Sequence, residues 1–189
     1  MTQYKLLVIG GSAGSLQVIL SLLAAIGNDV PIPVLVVLHR NGVFESSLEE
    51  LLSVRTGLPI REVEEKDVLR PGVVYICPAD YHVLLEKDHT FSLDYSERIH
   101  FSRPSIDVTF RSAADVYGPA LIGLLLSGGN ADGAAGLVHI HQQGGITLVQ
   151  DPLTADVPYM PQQAISLMAP TYIVPAEAIP TFVRGLAHG

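Results

Sequence analysis

Lys5-Leu6-Leu7-Val8-Ile9-Gly10-Gly11-Ser12-Ala13-Gly14 joins an apolar run to a glycine-rich turn. Lys5 to Ile9 is expected to form a strand closed by that turn. Ser15 to Ile26 is expected to form a helix, because Leu16, Ile19, Leu20, Leu23 and Ile26 recur at helical spacing. Val34-Leu35-Val36-Val37-Leu38 follows as an uninterrupted apolar run, as in a strand covered on both faces. Strand, turn, helix and strand in this order begin a βαβ unit, whose strands lie parallel.

Working outward, Phe44 to Val54 reads as a helix with Ser46 and Ser47 as candidate caps and Leu48, Leu51 and Leu52 facing inward. The middle of the chain changes rhythm. Arg61 to Val63, Val73 to Cys77, Val83 to Leu85 and Phe91 to Leu93 are short strands divided by turn residues such as Arg70-Pro71-Gly72. Glu86-Lys87-Asp88-His89 reads as a hairpin loop, and antiparallel additions to the main sheet are expected here. Helix Ser105 to Val116 restores the alternation, followed by strand Ala120 to Leu126, helix Ala134 to Gln142, strand Ile146 to Val149, helix Pro161 to Met168, strand Tyr172 to Val174 and helix Ile179 to Leu186. The expected fold is a doubly wound, mostly parallel α/β sheet with helices on both faces and an antiparallel hairpin addition. Without a linker or repeat, residues 1–189 read as one domain.

Of the 189 residues, 48% are hydrophobic and 16% charged, the balance of a globular chain rather than a disordered one. No apolar run reaches the ~18–20 residues that span a bilayer, so no membrane insertion is expected. The N-terminus lacks a signal-peptide pattern, which makes the cytoplasm the default compartment. Cys77 stands alone in an apolar run and reads as a packing residue. A formal net charge of -8 argues against a nucleic-acid partner, which would require a basic face.

In an open parallel sheet, ligands bind beyond the carboxyl ends of the strands. Ser12 follows the first predicted strand, His39 the second, and Asp132 lies in the turn after strand Ala120 to Leu126. A serine, a histidine and an aspartate at one sheet edge are the parts of an activated hydroxyl nucleophile. Each also has a plain structural reading: Ser12 as a helix cap or phosphate cradle, His39 as a hydrogen-bonded strand-end residue, Asp132 as an N-cap. The glycines beside them either make the tight turns or leave backbone N–H groups open for an oxyanion, with Ala13 and Gly129 as the candidate donors.

Two other chemistries fit less well. Ser12 replaces the second glycine of a dinucleotide fingerprint, and His39-Arg40 stands where an acidic residue would hold a ribose. Metal binding finds no ligand set: His139 and His141 are two apart on a helix, and His82, His89 and His100 have no carboxylate at ligand spacing. No metal and no cofactor are expected.

Longer motifs narrow the reading. Val8-Ile9-Gly10-Gly11-Ser12-Ala13-Gly14, Val36-Val37-Leu38-His39, Tyr75-Ile76-Cys77-Pro78, His82-Val83-Leu84-Leu85, Arg103-Pro104-Ser105-Ile106-Asp107, Phe110-Arg111-Ser112-Ala113-Ala114, Asp132-Gly133-Ala134-Ala135-Gly136 and Gln150-Asp151-Pro152-Leu153-Thr154-Ala155 resemble the catalytic domain of the chemotaxis protein-glutamate methylesterases, the CheB family. The resemblance implies a serine hydrolase that cleaves glutamate γ-methyl esters on chemoreceptors and deamidates receptor glutamines. It implies Ser12 as nucleophile, His39 as base and Asp132 as the acid orienting it. Its implied partners are the methylated cytoplasmic helices of chemoreceptors, or a similarly acidic protein substrate, and a separate receiver or signalling protein. The chain departs from the family in Ser12-Ala13-Gly14-Ser15 for Ser-Thr-Gly-Gly, in Gly129 for a methionine, and in Arg40-Asn41 for Met-Pro. A stand-alone form is expected, since the chain starts at the first catalytic strand without a receiver domain. The same triad would serve an esterase for another protein or small-molecule ester. A non-catalytic binding module is the reading from another class. Against the negative net charge, Arg40, Arg98 and Arg103 are the candidates for guiding an acidic substrate, or else form structural ion pairs with Glu97, Asp107 or the aspartate loop.

Overall fold

The computed structural model describes residues 4–28, 30–40 and 48–188. Its strands are β1 (Leu6–Gly11), β2 (Val34–Leu38), β3 (Ile60–Glu62), β4 (Val74–Ile76), the hairpin β5 (His82–Leu85) and β6 (Phe91–Asp94), then β7 (Leu121–Leu125), β8 (Ile146–Gln150) and β9 (Tyr172–Val174). The helices are α1 (Leu16–Ile26), α2 (Leu48–Thr56), α3 (Ile106–Tyr117), α4 (Ala134–Gln142), α5 (Tyr159–Leu167) and α6 (Ile179–His188). The main sheet runs β3-β4-β2-β1-β7-β8-β9 and every pairing in it is parallel.

Strand periodicity divides the core in two. Leu7 and Ile9 of β1 face the layer made by α1, α2 and α6, with Leu23, Leu52 and Val183 among its buried side chains. Leu6 and Val8 face α3, α4, α5 and the hairpin, through Phe110, Leu137, Met160 and Phe91. Burying one such side chain stabilises the fold by about 1.5–3 kcal/mol, so a polar substitution on either face of β1 would be severe. Both faces of the central strands are covered, which is why β2 carries no polar residue at all.

Two expectations change. β3 and β4 are parallel members of the main sheet, because residues 63–73 are long enough to return the chain to the same end. The antiparallel pair β5–β6 is a separate sheet; its Val83, Leu85 and Phe91 pack in the α3 layer instead of extending the main ladder. Phe44, Ser46 and Ser47 lie outside the described residues. In α2, Leu48 and Leu52 are buried as expected, but Leu51 is exposed. Among the described residues, no helix is long and apolar enough to cross a membrane.

The chain leaves β1 for β2 on one side and later places β7 on the other. That reversal opens a crevice at the carboxyl ends of β1 and β7, where ligands of such sheets bind. Ser12 follows β1 and the 127–132 loop follows β7, so both walls of the crevice carry the candidate residues.

Candidate active site

Ser12 is pinned through its backbone. Its N–H donates to Ser127 O at 2.9 Å, and its carbonyl accepts from Ser15 Oγ at 2.7 Å and Ser15 N at 3.1 Å. Ser15, not Ser12, occupies the cap position of α1. The turn beyond needs glycine at position 14, where φ is +79° and an added Cβ would sit 2.6 Å from Asp156 Cβ. Across the crevice, a Cβ on Gly128 would fall 2.4 Å from Met160 Cε and 3.1 Å from Ser12 Cβ. The β7 loop can lie this close to Ser12 only because residue 128 has no side chain.

The ladder β1–β2 sets His39 beside Ser12. Gly11 pairs with Leu38, and His39 N–H donates to Gly11 O at 3.2 Å. The imidazole reaches the β7 loop, where Nε2 lies 2.7 Å from Asp132 Oδ2. A carboxylate only accepts, so the Nε2 proton belongs to this bond and Nδ1 is left as an acceptor. Ser102 Oγ lies 3.3 Å from Nδ1. Among the described residues, Ser12 Oγ forms no hydrogen bond.

Asp132 is fully buried and accepts four donors. Besides His39, Ser105 Oγ reaches Oδ1 at 2.8 Å, Ile106 N–H reaches Oδ2 at 2.7 Å and Asp107 N–H reaches Oδ1 at 3.0 Å. Burial pushes this carboxyl up, but the His39 bond and the backbone N–H groups of Asp107 and Ile106 outweigh it and hold it below the ordinary carboxylate range. The reading of Asp132 as a cap of its own helix is corrected: Gly133 holds that position in α4, and Asp132 caps the N-terminus of α3. A negative charge there is further favoured by the helix dipole. Asp132 thus stays ionised while buried, as a group that orients an imidazole requires.

The backbone N–H groups differ in availability. Gly128 N–H is committed to Val157 O at 3.0 Å. Those of Ala13 and Gly129 make no hydrogen bond among the described residues, and they flank Ser12 from the two walls of the crevice.

The three arginines part ways. Arg40 is only 6% exposed, with Nη1 3.3 Å from Cys77 O and 3.8 Å from Glu62 Oε2. Arg103 is 10% exposed; it stacks 3.8 Å over the Tyr95 ring and donates to Ser96 O at 2.8 Å. Arg98 is 55% exposed and pairs with Asp80 at 2.9 Å. Arg40 and Arg103 are held by the scaffold, which leaves Arg98 as the most accessible of the three to a passing carboxylate.

Several residues around the site were not candidates for it from the sequence. Ser105 is one, a helix cap whose hydroxyl also serves Asp132. His82 is another: fully buried, it accepts from Ser105 N–H at 3.0 Å through Nδ1 and donates to Glu97 O at 2.8 Å through Nε2. Ser127 braces the crevice by donating to Ala13 O and accepting from Val157 N–H. Asn130 accepts from Asp132 N–H and donates to His100 O. Each is an ordinary polar residue in an ordinary position along the chain; only the fold gives it a partner. His139 pairs with Asp115 and His89 with Tyr117, and among the described residues no group of side chains is disposed to hold a metal ion. Cys77 is buried and its thiol is pushed up by burial, away from nucleophilic use.

The chain is similar to known proteins. The CheB methylesterase family matches the chain over residues 7–183. A relative from Leptospira interrogans serovar copenhageni is 42% identical over 176 residues, which span 93% of this chain and 91% of that protein. Protein-glutamate methylesterase/protein-glutamine glutaminase 2 of Methanospirillum hungatei is 37% identical over 97% of this chain, and the chain spans about half (53%) of that longer protein. The crystal structure of the Thermotoga maritima CheB methylesterase catalytic domain superposes with a TM-score of 0.91 at 32% identity, covering 97% of this chain and 99% of that one.

Proposed function

This chain belongs to the CheB methylesterase family, a family of carboxylic ester hydrolases, and we propose that it removes methyl groups from glutamate γ-methyl esters on a methylated chemoreceptor or a similarly acidic protein. The observation that carries the reading is the buried His39–Asp132 pair, 2.7 Å apart, at the strand end next to Ser12. In this reading Ser12 Oγ attacks the ester carbonyl and its proton passes to His39 Nδ1. Asp132 fixes the ring and stabilises the imidazolium through Nε2–H. The tetrahedral oxyanion receives hydrogen bonds from the free N–H groups of Ala13 and Gly129. Collapse expels methanol, which takes the proton from Nδ1. Water then attacks the acyl-enzyme under the same base and releases the glutamate carboxyl.

The orientation of His39 is the reverse of the common serine-hydrolase arrangement, in which Nδ1 faces the aspartate and Nε2 the serine. Either nitrogen can perform the transfer, since imidazole carries its proton on one and accepts on the other. A glutamine side chain presents a carbonyl to the same attack, with ammonia in place of methanol as the leaving group, so glutaminase activity belongs to the proposal, in keeping with the name of the Methanospirillum relative. The setting proposed is the cytoplasm.

The test is methanol release from a methylated receptor cytoplasmic fragment. Wild-type protein releases methanol and Ser12→Ala, with unchanged thermal midpoint, does not. Release by Ser12→Ala at the wild-type rate would remove Ser12 from the mechanism.

A further inference from the structure

In the resting structure the hydroxyl at His39 Nδ1 is that of Ser102, 3.3 Å away, and not that of Ser12. Because the ring proton is committed to Asp132, Nδ1 offers one lone pair and serves one donor at a time. The Ser102 hydroxyl has one hydrogen and two acceptors in reach: His39 Nδ1 at 3.3 Å and His100 O at 3.4 Å. Its oxygen is also 3.5 Å from the Asn130 amide nitrogen, which donates to it. Turning the O–H from His39 to His100 O frees Nδ1 without moving a heavy atom and without leaving the hydroxyl unpaired.

The segment that places Ser102 is under backbone strain. Ile99 and Ser102 exchange both backbone hydrogen bonds, at 3.1 and 2.8 Å, and so close a two-residue turn. The residues inside it, His100 and Phe101, have φ of +48° and +62°. Such turns ordinarily carry Asn-Gly or similar pairs, since other side chains crowd the following carbonyl. Packing does not hold Phe101 there, as its side chain is 95% exposed. The ties are to the site itself: Asn130 Nδ2 donates to His100 O at 3.2 Å, and His100 Nε2 lies 3.5 Å from Asp107 Oδ2. Strain of this kind persists where its surroundings over-determine it, and it concentrates at functional sites. What this turn presents to the site is one hydroxyl, against the base.

We propose that Ser102 is a positioning residue that holds the proton-accepting nitrogen of His39 while the crevice is empty and yields it to Ser12 when substrate enters. The proposal rests on the reading of Ser12 as the nucleophile. It explains why Ser12 is unbonded at rest although its base is already oriented: the base has a placeholder.

The test uses a small fluorophosphonate, which needs no receptor fragment. Its reaction forms a bond from Ser12 Oγ to phosphorus, breaks the P–F bond, releases fluoride and sends the serine proton to His39 Nδ1. Thr and Val at position 102 have nearly the same shape and only Thr keeps the hydroxyl. Ser102→Val is expected to label at Ser12 faster than Ser102→Thr by roughly two- to twelvefold, the range that one net hydrogen bond supports. Equal labelling, or slower labelling of the Val variant, overturns the proposal. Imidazole ¹⁵N shifts give a second readout that does not alter Ser102. If Ser102 is the resting partner, Ser12→Ala leaves the Nδ1 shift of His39 where it is; a shift toward an unbonded nitrogen overturns the proposal. Label found on Ser102, with Ser12→Ala still labelled, would instead overturn Ser12 as nucleophile, so the two failures are told apart.

Discussion

Asp132 caps the helix on which Asp107 lies, and Asp107 caps the helix that follows Asp132. Asp132 accepts from the N–H groups of Ile106 and Asp107 at the start of α3, while Asp107 Oδ1 accepts from Gly136 N–H in the first turn of α4. The two carboxylates therefore lock the helices to each other at the point where one of them also holds the His39 imidazole. Their charge states diverge. Burial and the nearby Asp132 push the Asp107 carboxyl up despite the Gly136 bond, whereas the hydrogen bonds to Asp132 hold it down.

Asp132→Asn is expected to cost stability as well as turnover. An asparagine offers one acceptor oxygen and an NH2 group to a pocket of four donors, leaving at least one N–H facing another; about 2–4 kcal/mol is the expected loss. Turnover should fall by about 10⁴, the precedent for such a change in a Ser-His-Asp triad. The pH dependence has a definite sign. A carboxyl lowered in the fold contributes stability that is fully present above the ordinary pKa of about 4 and is lost as pH falls through the lower folded value. Urea unfolding of wild type and variant should show their difference narrowing below about pH 4; a gap constant with pH would mean the charge of Asp132 is not what stabilises the fold.

Asp107→Asn should behave in the opposite way. Its carboxyl is raised in the fold, so ionising it costs stability as pH rises from about 4 through the folded value. The amide oxygen can still accept from Gly136 N–H, and the substitution removes a like charge beside Asp132. At neutral pH the variant is expected within about 1 kcal/mol of wild type or above it, with wild type gaining on it as the solution is acidified. A loss of several kcal/mol at pH 7 would contradict this.

Gly128 and Gly129 should separate cleanly. A methyl on Gly128 meets the end of Met160, which can swing away, and Ser12 Cβ at 3.1 Å, which cannot move without shifting the proposed nucleophile. Gly128→Ala is expected to lower kcat for methanol release by about tenfold, equivalent to ~1.4 kcal/mol in the barrier. Gly129→Ala, whose added carbon finds only Val157 at 3.9 Å, should cost less. Steady-state kinetics on both variants decides it, and a larger loss at Gly129 would contradict the expected order.

Among the arginines, Arg98→Glu should lower kcat/KM on an acidic receptor fragment more than on a small neutral ester, with the difference shrinking as salt is added. Arg40→Gln should lower both rates alike, because its guanidinium is buried against Cys77 O and Glu62. A salt-dependent, substrate-selective effect at Arg40 would return it to the recognition surface.

The parallel alternation and the strand-end positions of Ser12, His39 and Asp132 were legible because period and glycine placement are local properties. The pairing direction of β3 and β4 was not, since it depends on how residues 63–73 route the chain and no residue in that loop announces the route. Helix starts were read well where a side chain caps locally, as Ser105 does through Val108 N–H. They were misread where the cap comes from far away: Asp132 looks like a cap for α4 and serves α3. The burial of Arg40 and Arg103 was not legible for a related reason, because exposure of a long side chain is decided by neighbours from other segments. Ser102 belongs to no motif, and the His82-Val83-Leu84-Leu85 motif does not announce what His82 binds; both roles exist only as distances.

His39 and Asp132 are 93 residues apart in the chain, and that interval has a meaning in time. During synthesis at roughly 5–20 residues per second, it amounts to roughly 5–20 s in which a nascent chain holds Ser12 and His39 but not Asp132. β1 also waits through that interval for β7, its second neighbour in the sheet. On the proposed mechanism, hydrolytic competence arrives with the closing of the sheet's other half and not before, so the appearance of activity during refolding would time the docking of β7.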